Sequence, residues 1–468
     1  MQLVNLRRFS SLGKSIFVVL LTLFVLYLVV GGVLVFLYHR SDDSYAQTID
    51  PQRFFGEGIG VDKALVVEDR IDSAIARINL IEHATSSIDL AYYTVHDGIS
   101  SDVFYASLLE AADRGVSVRL LFDGIFHNLK GTQRATLRAL VAHPNVEVRF
   151  FEPLNILLPW TLQNRLHDKL LIIDDTYALI GGRNIGDKYF IEPYAGSVVE
   201  DRDILIINST RTLGSSSVLD SFASYFTELW ESRYTKERRV RGSLDYDDVL
   251  LDRLETVRGE YPQHFIAAID WDAWALPTAR VTLITNPLAR LNKEPHILME
   301  LMGCVEESTS SLSLQSPYII PSRSMQRYVK ETAEDVDIWY LTNSVYSSPN
   351  YFATAGHLKH RAHIAAGATL LEYEGEGSIH AKTYVFDERL SMVGSYNLDA
   401  RSSFLSTESM VVIDSVAVAE SLGERMETLA QESVPYGARD VQRKPVPAYK
   451  RGLVLFSRIL LSPFDWLL

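Results

Sequence analysis

Apolar and polar positions alternate along the body of this chain in an order that occurs twice. "SSIDLAYYTV" (Ser86–Val95) is an apolar run of strand length. Val103, Leu108, Leu109 and Ala112 follow at helical spacing, Gly115 closes that pattern, and "VSVRLLFD" gives a second buried strand. The later chain repeats the series with "SSLSLQSPYII" (Ser310–Ile320), a helical pattern on Met325, Tyr328 and Val329, and "VDIWYLTN" (Val336–Asn343). Strands alternating with helices predict an α/β fold whose sheets are covered on both faces. Each series runs on through another helix and a short strand to a polar stretch: "RLHDKLLIIDDTYALIGG" (Arg165–Gly182) in one, "SIHAKTYVFDERLSMVGS" (Ser378–Ser395) in the other.

The two polar stretches coincide at a constant offset of 213 residues, which pairs His167 with His380, Lys169 with Lys382, Asp174 with Asp387, Gly181 with Gly394 and Asn184 with Asn397. A repeat of this length predicts two homologous α/β/α sandwich halves, 59–240 and 296–436, joined by the charged, proline-containing segment 241–295. Side chains alternate along a strand, so His167 and Lys169 share a face. Asp174 falls in the turn "DDT", "YALIGG" returns as a strand, and "GGRN" leads to Asn184. "DER" and "GSYN" do the same in the second copy. Two such clusters facing across a pseudo-two-fold axis make one site from two halves.

Hydropathy changes character at both ends. "SIFVVLLTLFVLYLVVGGVLVFLYH" is long and apolar enough to cross a bilayer as a helix. Arg7, Arg8 and Lys14 precede it, and Arg40 is soon followed by Asp42 and Asp43. The positive-inside rule then divides the start of the chain into a cytoplasmic 1–14, a single transmembrane helix 15–39 and a linker 40–58, with the body in the periplasm. Ser44-Tyr45-Ala46 resembles a signal-peptidase site, but the apolar run is long for a signal sequence and charge precedes the site, so an uncleaved anchor is expected. In the tail 437–468, Lys450, Arg451 and Arg458 interleave with Leu453, Leu455, Phe456, Ile459, Leu460, Phe464 and Trp466. That basic amphipathic segment is too short to span; it suits lying in a membrane interface, or docking on the body as a terminal helix.

Charge sharpens this picture. The chain of 468 residues carries 45 Lys and Arg against 59 Asp and Glu, a formal net charge of −14, while both ends are basic. The body is therefore strongly acidic and a poor partner for nucleic acid, and the basic ends are where an anionic membrane is held. A single cysteine, Cys304, excludes an internal disulfide or a Cys-based zinc site. His357, His360 and His363 recur at helical spacing without a nearby acidic ligand, which reads as a surface helix rather than a metal site. Asp123 and Asn343 end equivalent strands near the expected cleft, where they either contact substrate or cap turns.

Two His-Lys-Asn clusters suit attack on a phosphodiester. Lys169, Lys382, Asn184, Asn397 and Ser395 can hold anionic phosphate oxygens and the charge gathered at phosphorus. One neutral histidine can attack phosphorus while the other, protonated, gives its proton to the leaving alcohol. Each imidazole profits from a carboxylate that fixes its tautomer. Glu408 and Asp201 occupy matching places for that task, with Asp203 a substitute for Asp201. Asp174 and Asp387 complete the motifs and are counted with the catalytic set, although turns suit bracing better than reacting.

HxKxxxxD written twice, each copy followed by G-[GS]-x-N, resembles the phospholipase D superfamily. "GGRNIGDKYF" and "GSYNLDARSSFLSTE" resemble bacterial cardiolipin synthases, C-type most of all, over essentially the whole body from about residue 60. The resemblance implies phosphatidyl transfer through a phosphatidyl-histidine, with no metal and no cofactor. His167 is then the nucleophile and His380 the acid. Phosphatidylglycerol donates, and a headgroup hydroxyl or amino alcohol of a second phospholipid, phosphatidylglycerol or phosphatidylethanolamine, accepts, in the bacterial inner membrane. A phospholipase D or phosphatidylserine synthase of the same superfamily differs only in acceptor; a nuclease is disfavoured by the acidic body and the anchor.

Overall fold

Strands form at the apolar runs, and their hydrogen bonds sort most of them into two large sheets of the same order, while Val199–Glu200 and Ser378–Ile379 pair across the halves as a small third sheet. The computed structural model describes residues 2–37, 43–209, 217–237, 241–265, 267–321, 336–439, 441–461 and 467. The first half supplies β1 (Lys63–Val67), β2 (Ser87–Tyr92), β3 (Ser117–Asp123), β4 (Val146–Phe151), β5 (Lys169–Ile173), β6 (Tyr177–Gly181), β7 (Asp203–Ile207) and β8 (Thr235–Glu237). The second supplies β9 (Arg280–Thr285), β10 (Ser311–Gln315), β11 (Asp337–Asn343), β12 (Thr369–Tyr373), β13 (Thr383–Phe386), β14 (Leu390–Gly394), β15 (Ser409–Asp414) and β16 (Ser433–Pro435). The first sheet runs β1-β7-β6-β5-β2-β3-β4-β8, and the second runs β9-β15-β14-β13-β10-β11-β12-β16. The residue pair Leu276–Pro277 extends the first sheet beyond β1. In both, the three strands joined by helices are parallel and their neighbours antiparallel.

The longer helices are α1 (Gln2–Gly32), α2 (Arg70–Glu82), α3 (Ile99–Asp113), α4 (Arg134–Ala142), α5 (Val218–Glu231), α6 (Asp247–Glu260), α7 (His296–Glu307), α8 (Tyr351–Ile364), α9 (Val416–Gln431) and α10 (Ala448–Leu461). Side chains of Asp69, Ser217, Asn350 and Ser415 accept the first free backbone N–H groups of α2, α5, α8 and α9, which fixes where those helices begin. Helices α5 and α9 share one core with the facing sheets. Leu170, Ile172 and Ile206 enter it from one sheet, Val385, Val411 and Ile413 from the other. Helix α3 covers the outer face of the first sheet and α7 that of the second. Burial on both faces is why β5 reads Leu-Leu-Ile-Ile instead of alternating.

The segment 241–295 is built into both halves. Helix α6 is tied to the first half by Arg258, which pairs with Glu82 and Glu110. Leu276–Pro277 joins the first sheet, and β9 becomes an edge strand of the second. Residues Gly13–Phe36 form a 24-residue apolar span containing an 18-residue stretch of mean hydropathy 2.9, long and apolar enough to cross a membrane. The side chains of Arg7, Arg8 and Asp43, residues Arg40 and Asp42, the helical pattern on Met325, Tyr328 and Val329, and Phe464 and Trp466 lie outside the described residues.

Candidate active site

The hairpins β5–β6 and β13–β14 place the two histidines at one end of the sheets. Lys169 pairs with Tyr92 at the C-terminal end of β2, and Thr383 with Gln315 at the equivalent end of β10. His167 and His380 therefore lie where the parallel strands point, the usual place for a site in such sheets. Each motif lysine folds back on its own histidine, Lys169 Nζ donating to the His167 carbonyl and Lys382 Nζ to the His380 carbonyl.

Contacts between the halves cross. The backbone N–H of His167 donates to Thr407 O at 3.2 Å, and that of His380 donates to Glu200 O at 2.7 Å. The next residue in each case is the carboxylate that holds the ring. His167 Nδ1 is 3.0 Å from both oxygens of Glu408, and His380 Nδ1 is 2.5 Å from Asp201 Oδ2. Each half thus orients the other half's imidazole. With Nδ1–H donated to a carboxylate, Nε2 of both rings is left as the lone-pair nitrogen. Ser395 Oγ donates to Glu408 at 2.5 Å. Its counterpart Gly182 has no room for a side chain, because a Cβ there would fall 2.2 Å from Asp201 Oδ1.

Two asparagines close the cluster. Asn184 Nδ2 lies 3.3 Å from Tyr189 Oη and Asn397 Nδ2 lies 3.4 Å from Tyr318 Oη, while the Oδ1 of each is buried without a partner among the described residues. Turning either amide over hands its oxygen to the tyrosine hydroxyl and directs an N–H pair toward the other side.

Several sequence candidates fall elsewhere. Asp174 and Asp387, counted with the catalytic set, are not in the cluster. Each lies past the far end of its strand, about 17 Å of extended chain from the motif lysine. Asp174 accepts from the N–H groups of Thr85, Ser86 and Ser87, and Asp387 from those of Thr309, Ser310 and Ser311. Each clamps the start of a neighbouring strand, away from the two imidazoles. Asp203 is held by Arg77, Arg183 and Ser73, away from His380. Asp123 accepts from Leu166 N, and Asn343 Oδ1 from Ile379 N, so both brace the residue preceding a histidine. The helix carrying His357, His360 and His363 lies at the surface with His363 exposed, but His357 is on its buried side against Ile319 O.

Electrostatics divides the two half-sites. Burial, Lys169 and Lys382 push His167 well below the ordinary imidazole value, and burial and Lys382 do the same to His380 against the pull of Asp201. Burial pushes Lys169 down to about 7, with Lys382 adding to it, and Lys382 down to about 8. Burial also lifts the Glu408 carboxyl, to about 7 against the charge of Lys169. At Asp201 burial is outweighed by His380, Lys382 and Arg183, and the carboxyl sits well below its usual range. Two neutral imidazoles beside two buried, mutually repelling ammonium groups form a site short of an anion.

Comparison with known proteins identifies the family. The family model described as "Cardiolipin synthase, PLD-like domain" matches residues 77–230 and 301–430. The chain belongs to the phospholipase D-like cardiolipin synthase family. Cardiolipin synthase C of Escherichia coli is 27% identical, over 86% of this chain and 95% of that one. An uncharacterized protein of Helicobacter pylori is 26% identical over 79% of this chain and 80% of its own length. In structure, a phosphatidylserine synthase of Haemophilus influenzae superposes with a TM-score of 0.62 at 14% identity, covering 87% of this chain and 95% of that one. This family member is a phospholipase D-type phosphatidyltransferase acting on phospholipids.

Sequence reading missed residues around this phospholipase D-like site that the repeat does not share. Tyr93 meets His167 edge-on with ring centroids 5.1 Å apart, and Tyr189 meets His380 at 6.1 Å. Asp168 stands between His167 and Lys169, where the second copy has Ala381; its carboxylate accepts from Thr407 Oγ1 at 2.5 Å and Tyr225 Oη at 3.1 Å. Lys293, from the segment read as a connection, is 1% exposed with no partner for its Nζ among the described residues. Burial lowers its ammonium to about 8 against the pull of Asp168 and Glu408. The contrast of HDK with HAK was the one trace of this asymmetry in the sequence.

Proposed function

We propose that the protein makes cardiolipin by a two-step phosphatidyl transfer with His167 as nucleophile and His380 as acid and base. The reading rests on one observation above the rest: two imidazoles, each oriented through Nδ1 by a carboxylate of the opposite half, stand where the halves meet beside two buried lysines. In the first step His167 Nε2 forms a bond to the donor phosphorus, the bond from phosphorus to the headgroup oxygen breaks, and His380 Nε2–H protonates the departing alkoxide. In the second, the acceptor hydroxyl gives its proton to His380, its oxygen bonds to phosphorus, and the phosphorus–nitrogen bond breaks to free His167. An arriving phosphodiester anion offsets the lysine charges and lets His380 take up the proton it must donate. Ionised Asp201 at 2.5 Å stabilises that imidazolium, whereas Glu408 is pushed up toward neutrality. This difference favours His380 as the proton carrier.

Product chemistry corrects the choice of acceptor. Cardiolipin has two phosphatidyl groups on one glycerol, so the acceptor must keep a free glycerol hydroxyl. Phosphatidylglycerol meets that need; the ethanolamine headgroup offers only an amine. Phosphatidylethanolamine therefore serves as donor, releasing ethanolamine, as phosphatidylglycerol releases glycerol. The membrane is the bacterial inner membrane.

Expression in bacteria lacking cardiolipin, followed by lipid mass spectrometry, tests the product; accumulation of phosphatidic acid or phosphatidylserine instead would overturn it. The histidine roles are tested separately. His380→Asn should lower turnover about 10²–10⁴-fold and accumulate a phosphatidyl adduct on His167 from a donor with a good leaving group. His167→Asn should form none. An adduct mapped to His380 reverses the roles.

A further inference from the structure

The loop that follows β4 is not built to face water. Residues 154–162 read Leu-Asn-Ile-Leu-Leu-Pro-Trp-Thr-Leu. Leu154, Ile156, Leu157 and Leu162 are 58, 60, 66 and 44% exposed. Large apolar side chains gathered on one short loop make a patch that water-facing surfaces avoid.

This loop is fastened along α1. Tyr27 Oη donates to Leu157 O at 2.6 Å, and Gln163 Nε2 donates to Gly32 O at 2.9 Å. Gly31 lies against Pro159 so closely that a Cβ would come within 2.6 Å of the proline ring. Tyr27 stands five residues before α1 ends at Gly32 and nine before Phe36, where the apolar span ends, which puts it at most about 14 Å along the span from that end. Half the hydrocarbon thickness of a bilayer is about 15 Å. If α1 crosses, the tip of the loop is held at a depth inside the leaflet on the body side.

The end of the span is also joined to the site. Phe36 is fully buried with Phe404 and Leu405, just ahead of Thr407 and Glu408, which hold His167. Helix α10 reaches the same region. Leu467 packs against that cluster and accepts from Arg401 Nε at 3.1 Å. Leu467 follows the end of α10 by six residues, so the helix ends within about 22 Å of it. Val454 and Ser457 of α10 are buried, while Leu455, Phe456, Ile459 and Leu460 are 59, 61, 72 and 51% exposed.

We propose that loop 154–162 is immersed in the body-side leaflet beside α1. With the outer face of α10 it forms a membrane-seated surface that holds the His167 side of the site at the headgroup layer. The occupant of this apolar surface is the lipid bilayer, because the patch is continuous with the membrane-spanning helix. The inference rests on α1 as a span and on lipid as substrate, but the position of the loop is measurable without turnover.

Cys304 is the only cysteine and is buried, so single cysteines can be introduced into the full-length chain and labelled with a fluorophore. Three positions suffice: Leu157→Cys in the loop, Val25→Cys in α1, and Glu255→Cys on α6. Glu255 is exposed beside Arg258, which pairs with Glu82 and Glu110 toward the opposite end of the first sheet. The protein is reconstituted into phosphatidylglycerol and phosphatidylethanolamine vesicles carrying brominated acyl chains. Strong quenching at positions 157 and 25 with none at 255 is expected. Quenching at 25 but not at 157 overturns the immersed loop and leaves the span standing. Its absence at both overturns span and loop together. The double variant Ile156→Asp, Leu157→Asp should lower turnover of bilayer phospholipid at least about tenfold and leave that of a soluble short-chain phosphodiester unchanged; equal loss on both substrates counts against the surface.

Discussion

At the scale of single residues, the site is a matter of where protons sit. Lys169 and Lys382 are each 1% exposed, and burial, with their mutual repulsion at Lys169, lowers them to about 7 and about 8. An ammonium with a depressed value is charged below it and neutral above, so phosphate binding weakens as pH rises through 7 to 8, far below the ordinary lysine range. On the acid side, Glu408, lifted by burial to about 7, loses its charge as pH falls and leaves His167 without its ionised partner. The expected kcat/KM profile is narrow and centred near 7; a plateau extending to pH 10 would show the lysines to be ordinary. Asp174 and Asp387 make a contrasting case, since both stand in three-residue turns at positive φ, 52° and 49°. Asp174→Ala removes an acceptor of three backbone N–H groups and should cost about 1–3 kcal/mol of stability. Denaturant titration measures that cost, and turnover per folded molecule should stay near wild type. A large loss of turnover at unchanged stability would return Asp174 to the chemistry.

At the scale of elements, local pattern goes far and then stops. The runs from Ser86 and Val116 become β2 and β3, those from Ser310 and Val336 become β10 and β11, and the turns at "DDT" and "DER" form between their hairpin strands. These were legible because alternation, strand length and turn chemistry are properties of neighbours in sequence. The segment 241–295 was not legible as β9 and α6, because an edge strand is defined by the partner it meets. Helix α10 shows the same limit. Its sequence left open an interfacial foot or a docked helix, and the structure shows one face buried on the body and the other carrying exposed Phe456 and Ile459. Ile459→Glu with Phe456→Glu should therefore leave folding intact and weaken action on membrane lipid, each buried apolar side chain being worth roughly 1.5–3 kcal/mol. Vesicle co-flotation and parallel assays on a soluble diester measure the effect; unchanged partitioning would assign that face to some other contact.

At the scale of the whole molecule, one apolar span sets the orientation of everything else. Basic residues cluster before the span and acidic ones follow it, so the body is expected in the periplasm. Protease added to intact spheroplasts should digest it, and protection lost only on lysis would reverse the topology. The sequence by itself determined that two homologous halves exist, that each carries a histidine, a lysine and an asparagine in one local cluster, and that one helix can span a membrane. Those facts live in spacings of a few residues and in an offset that a repeat preserves. Only the tertiary structure decided that Glu408 serves His167 and Asp201 serves His380, that Asp203 serves neither, and that Asp123 and Asn343 brace backbone. It alone placed Lys293 under the site and loop 154–162 along α1. Such pairings join residues up to 241 positions apart. They are fixed by how two sheets and their shared helices pack, and no local pattern of hydrophobic and polar positions encodes that.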